Sequence, residues 1–287
     1  MCSGRVDART ARELITSSVE WCLGLARVHL NRAAYTRPTV GQLAEGRSAS
    51  GGLAGHTTLA RAAGRVRACV QVIECDISKL PRRVDMLCVP SNEWLRSPGF
   101  GAMEALYQQG GSGLKGWVEA QTLAAREAAT DRFSSHGAVL SPGEVCISPA
   151  YGTIRAAHLC HAVGIAFYEA ARFHQACTSG NEEERQKADA ALLAAAVQQV
   201  HLIRAVFWEA ARVGARSIAI PAVSAGKRGF PPLLAAAITL SVATHEVLAS
   251  GGDLEVMVVT FGDENHLDAF KEAREAATTR LVELQLG

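Results

Sequence analysis

From Val66 onward, short apolar runs alternate with longer helical stretches, and this alternation constrains the fold more than any other feature of the sequence. The runs are VRACVQVIECDI, VDMLCVPSN, EVCISPA, AAHLCHAVGI, ARSIAIPAVSA and LEVMVVTFGD, with turn material such as SKLPRR between the first two. They alternate poorly between apolar and polar residues, as strands buried on both faces do. Helices are predicted between them at about 114–131, 182–213, 230–250 and 264–283. Strands alternating with helices predict an α/β chain with a mostly parallel or mixed sheet and helices on both faces.

Upstream the pattern differs. Leu14, Ile15, Val19, Cys22, Leu23, Ala26 and Leu30 fall largely at steps of three and four within residues 8–33, which predicts an amphipathic helix. An exposed stripe of that size invites aggregation, so it is expected to pack on the body of the domain or on a partner. The Gly/Ser-rich stretch 45–57, EGRSASGGLAGHT, reads as a linker. The expected division is therefore 1–65 as a helical extension with its linker and 66–287 as the main domain. Within the latter, the Ala-rich stretch around 165–200 reads as a helical insertion, with NEEERQK as a solvated charge run.

Several function classes are disfavoured. The net charge is +1 with no basic block, so non-specific nucleic-acid binding is not indicated. No apolar run approaches the roughly 18–20 residues that span a bilayer, and no membrane partner is expected. MCSGRVDART lacks the apolar core of a secretory signal, and the eight cysteines form no CxxC pair. Reduced thiols in the cytoplasm or nucleus are expected. His158, Cys160, His161 and Cys146 raise the question of a metal. His158 and Cys160 share one strand face while His161 points the other way, so buried strand residues and no metal site are expected.

In an open α/β sheet, ligands bind beyond the carboxyl ends of the strands. Here those ends carry Glu74-Cys75-Asp76-Ile77, then Pro90-Ser91-Asn92 followed by SPGFGAM, then Ser148-Pro149, and finally Ser224-Ala225-Gly226-Lys227-Arg228-Gly229-Phe230-Pro231. Small residues let backbone approach a ligand, and two facing loops of this kind make a diphosphate cradle. Structural readings stand beside these. Asp76 can cap the turn into SKLP, Asn92 can close an Asx turn, and Glu104 can complement the dipole of its own helix.

Five motifs in order resemble the macro domain family. CDIS at 75–78 resembles the family's GDIT strand end. Asp85 to Asn92 resembles DAIVNAAN, with only the outer Asp and Asn kept. Gly143 to Tyr151 resembles GEAxxTxGY, and Leu159 to Gly164 resembles VIHAVGP. SIAIPAVSAGKRGFP, from Ser217 to Pro231, resembles SIAFPAISTGxxGxP. The resemblance implies a three-layer α/β/α fold with ADP-ribose as ligand or product and no separate cofactor. It also implies removal of mono-ADP-ribose from a modified protein; the alternatives are a non-catalytic reader or a scaffold that has lost its ligand. By the same resemblance, Asp76 and Ile77 take the adenine, Asn92 with Gly99 and Gly101 lies along the distal ribose, and backbone amides of Ser224, Ala225, Gly226, Lys227, Arg228 and Gly229 hold the diphosphate. Phe230 packs on the distal ribose. Neither GGGGVDG nor GKGIA, the family's catalytic loops, is present, so Glu104 and then Glu93 are the acids expected to orient a water.

Overall fold

The computed structural model describes residue 61 and residues 63–128, 138–177, 181–261 and 264–286; the predicted helix at 8–33 and linker at 45–57 lie outside the described residues. Its six strands are β1 (Val70–Glu74), β2 (Val84–Ser91), β3 (Val145–Pro149), β4 (Ala156–Val163), β5 (Ser217–Pro221) and β6 (Glu255–Thr260). They form one sheet in the order β1-β6-β5-β2-β4-β3. All pairings are parallel except β3 with β4, which places the antiparallel strand at an edge. The helices are α1 (Gly101–Ala128), α2 (Phe167–Cys177), α3 (Glu182–Arg212), α4 (Pro232–Ala249) and α5 (Glu264–Leu286).

Two apolar cores explain why the strand runs lack alternation. Met86, Cys88, Ile218, Ile220, Val256 and Val258 face a core shared with α3, α4 and α5. Their neighbours Leu87, Val89, Ala219, Met257 and Val259 face a second core, shared with α1 and the 3₁₀ turn Ile77–Lys79. With both faces covered, a sheet strand needs no regular polar alternation, and the polar residues it does bury, such as His161 and Ser148, are hydrogen-bonded to each other. The mixed three-layer α/β/α architecture follows. Asp85 clips β2 to β5: one carboxylate oxygen accepts from the backbone N–H groups of Arg216 and Ser217 and from the Ser217 hydroxyl, each at 2.9 Å.

The elements depart from the sequence reading in four places. Residues 63–69 are helical, so the first run contains a helix end and then β1. The first long helix starts at Gly101 rather than near 114, and is broken at Gly111 (φ 57°, ψ −145°), a conformation open to glycine. The stretch around 165–200 is α2, without buried residues, and most of α3. The Asn181–Glu184 capping box starts α3 in solvent, whereas Leu202, Ile203 and Val206 are core. Finally, α3 and α4 are long and apolar enough to cross a membrane by composition alone. In α4 that composition has another cause: Ala235 to Val242 and Ala243 are packed in the core between the sheet and its neighbouring helices.

Candidate ligand cleft

A cleft of about 650 Å³ opens at the carboxyl ends of β1, β2, β5 and β6, within the roughly 300–1,000 Å³ typical of small-molecule sites. Its two ends differ in chemistry.

At the β1 end, Asp76 caps the 3₁₀ turn. Its Oδ1 accepts from the Ser78 backbone N–H at 2.9 Å and from the Ser78 hydroxyl at 2.8 Å, while Oδ2 has only a 3.9 Å contact with Lys79. Burial opposes its ionisation, but the Ser78 bonds and Lys79 hold the carboxyl below the ordinary carboxylate range. The capping role and a ligand role are thus compatible, since Asp76 lines the cleft and its Oδ2 accepts no hydrogen bond among the described residues. The N–H of buried Ile77 has no partner among the described residues. Val259 and Phe261, the latter 70% exposed, complete an apolar wall here. The sequence reading missed Phe261; an aromatic at the very end of the apolar run LEVMVVTFGD was the available signal.

At the β5 end, the loop after Pro221 is held from behind. Ser224 has φ 72°, unusual for a residue other than glycine. Its hydroxyl donates to Gln199 Oε1 at 2.7 Å and accepts from the Ile165 N–H at 3.0 Å, and Gln199 Nε2 donates to the Val223 carbonyl at 3.0 Å. These bonds over-determine a strained turn, a pattern found at ligand clamps. The amides of Ala225 and Gly229 donate within the loop, to Ala222 and Gly226. Those of Ser224, Gly226, Lys227 and Arg228 have no partner among the described residues. Only these four of the six expected amides are free. Gly226 faces open space, and Lys227 Nζ lies 3.8 Å from the centroid of the Phe100 ring, half exposed on the opposite wall.

The other expected site residues fare differently. Asn92 lines the cleft, but its Nδ2 donates to the Arg96 carbonyl at 2.6 Å and its Oδ1 accepts from the N–H groups of Trp94 and Arg96. Its amide is spent on closing its own turn. Gly101 lines the cleft; Gly99, at φ 79°, instead donates its N–H to the Ser97 hydroxyl. Phe230 is not on the cleft at all: it is 1% exposed and packs on Phe167 with centroids 4.7 Å apart.

Neither expected catalytic acid reaches the cleft. Glu93 Oε1 accepts from Arg228 Nη2 at 2.7 Å, and its backbone carbonyl accepts from Val139 and Leu140. Glu104 accepts from the Ser97 hydroxyl and, at 2.9 Å, from Gln108 Nε2, which together hold its carboxyl below the usual range. A carboxylate so held is a poor proton acceptor. Among the described residues, Asp76 is the cleft's one acid.

Behind the cleft, buried His161 sits 2.9 Å from the Ser148 hydroxyl and 3.4 Å from that of Ser91, and stacks on Trp117. Burial lowers its pKa to about 4, so it is neutral near pH 7. Among the described residues, no group of three metal-ligating side chains converges.

The cleft thus combines a row of free amides and two cations at one end with a carboxylate oxygen and apolar walls at the other. Residues 107–239, from within α1 to within α4 and including the β5 loop, match the sequence profile of the Macro domain. Among curated protein sequences none matches. The structure superposes on the macro domain of ganglioside-induced differentiation-associated protein 2 with a TM-score of 0.54 and 17% identity, covering 74% of this chain and 86% of that one. It resembles a Trypanosoma brucei macrodomain in complex with ADP (TM-score 0.51, 19% identity, covering 73% and 70%). It also resembles a mutant Oceanobacillus iheyensis macrodomain with ADPR (0.50, 19%, 75% and 94%). At such identities the structures speak for the fold alone: the chain has a macro-domain fold, within which residues 107–239 match the Macro domain profile.

Proposed function

We propose that this protein recognises ADP-ribose, free or attached to a protein, as a reader. The observation that carries the proposal is the row of unpartnered amides at Gly226, Lys227 and Arg228, facing a cleft whose far end offers Asp76 Oδ2, the Ile77 N–H and Phe261. Consecutive free N–H groups make an anion-binding concavity that suits a diphosphate. A carboxylate oxygen beside an amide N–H suits the amino group and adjacent ring nitrogen of adenine, and an exposed aromatic suits stacking on the ring. The related macrodomains with ADP and ADPR support this choice of ligand.

Removal of mono-ADP-ribose has less support. Hydrolysis at the anomeric carbon needs an acid or base within hydrogen-bond reach of the water, and Glu93 and Glu104 are both engaged elsewhere. Glu104→Gln is therefore expected to leave ADP-ribose affinity unchanged, and the wild type to release no ADP-ribose from mono-ADP-ribosylated protein. Release that collapses in this variant would restore Glu104 as the catalytic acid.

Asp76→Ala tests the adenine end. The variant is expected to bind ADP-ribose about 10- to 150-fold more weakly, the equivalent of losing a hydrogen bond to a charged group, about 1.5–3 kcal/mol. Calorimetric titration measures it, and unchanged affinity would move the adenine elsewhere.

A further inference from the structure

The polar groups of the cleft divide by what they are free to bind. Its uncharged polar side chains are Ser91, Asn92, Ser224 and Thr260, with the Cys75 thiol as a weak donor beside them. All four are bonded inside the protein. The Ser91 hydroxyl donates to the Val89 carbonyl at 3.1 Å and has His161 Nδ1 at 3.4 Å, while the Thr260 hydroxyl donates to the Ile73 carbonyl of β1 at 3.5 Å. Ser224 is fixed between Gln199 and the Ile165 N–H, and the Asn92 amide closes its turn on Trp94 and Arg96.

The uncommitted groups are of another kind. Asp76 Oδ2 accepts no hydrogen bond among the described residues, and the amides of Gly226, Lys227 and Arg228 have no partner there either. Lys227 Nζ lies on the Phe100 ring. The first turn of α1, Gly101 to Met103, also lines the cleft, and N–H groups at the positive end of a helix favour an anion over a neutral hydroxyl. Such groups suit an adenine amino group and a pair of phosphates. A sugar beyond the phosphates presents neutral hydroxyls, which need partners to replace the water they lose, and the side chains that could serve are spent.

We infer that, granted the ADP-ribose reading on which this rests, the cleft recognises the adenosine diphosphate and leaves the second ribose unread. Its ligand class is then an adenosine 5′-diphosphate ester whose terminal group is interchangeable. A protein joined through that second ribose meets no selection in the cleft for the side chain that bears it.

Calorimetric titration of the full chain with ADP-ribose, ADP-glucose, ADP and AMP tests this. ADP-glucose keeps the charge of ADP-ribose and changes only the sugar, and ADP removes the sugar. ADP-ribose is expected to bind no more than about threefold more tightly than the better of these two. One neutral hydrogen bond is worth about two- to twelvefold, so a ribose held by two or more hydroxyls would exceed that margin. ADP-ribose binding beyond threefold more tightly than both would overturn the inference and leave the ADP-ribose reading standing. AMP is expected to bind at least about tenfold more weakly than ADP, since it loses charge-assisted bonds to one phosphate. AMP binding as tightly as ADP would overturn the part given to the diphosphate. Asp76→Ala is expected to weaken ADP-ribose, ADP-glucose and ADP by a common factor, because they share the adenine; a variant that weakens one and spares the others would overturn their common placement. Failure of all four to bind would overturn the inference together with the reading beneath it.

Discussion

Gly226→Glu is expected to weaken ADP-ribose binding by about a hundredfold or more while leaving the fold intact. A Cβ at Gly226 would meet nothing within 4 Å, so the side chain has room without disturbing the loop. Gly226, Lys227 and Arg228, whose amides have no partner among the described residues, all line the cleft. A carboxylate there accepts from the amides itself and faces the diphosphate with a like charge, a juxtaposition that costs several kcal/mol. Calorimetry gives the affinity and thermal unfolding the stability. A variant that is stable and still binds within a few-fold would mean that the diphosphate lies elsewhere.

Phe230→Ala is expected to act on stability rather than affinity. The ring is buried against Phe167 in the core that α4 shares with the sheet, and removing a buried Phe typically costs about 3–5 kcal/mol. The loss should appear in denaturant unfolding as a lower midpoint at unchanged slope. Phe230 also donates its backbone N–H to the Ser224 carbonyl, which the substitution keeps. Molecules that remain folded should therefore bind ADP-ribose nearly normally. Loss of affinity at unchanged stability would return Phe230 to the ligand and contradict its placement.

These two residues show where the sequence was legible and where it was not. The open position of Gly226 is legible because it depends on local backbone and on the strand end that presents it, both written in SIAIPAVSAGKRGFP. Phe230 sits four residues further on, in what reads as the same exposed loop. Its burial is decided by Phe167, the first residue of α2, and no local pattern carries that information. The engagement of Glu93 is hidden for the same reason, since its partner Arg228 is 135 residues away. Asn92 and Asp76 kept the turn-closing duties their residue types suggest, but only Asp76 has an oxygen left over.

The fold was legible for a physical reason. The central strands are buried on both faces, which forces the short apolar runs that mark them. The helix expected at Glu104 and the one expected from about 114 are a single element, because Gly111 breaks α1 into two helical halves without ending it.

The central claim is that the cleft is shaped for ADP-ribose, with its diphosphate on the β5 loop and its adenine at Asp76. Titrating the wild-type protein with ADP-ribose, alongside ribose 5-phosphate and adenosine, tests it most directly. Saturable one-to-one binding of ADP-ribose is expected, with each fragment far weaker because it engages only one end of the cleft. A folded wild type that shows no binding of ADP-ribose at millimolar concentration would contradict the claim.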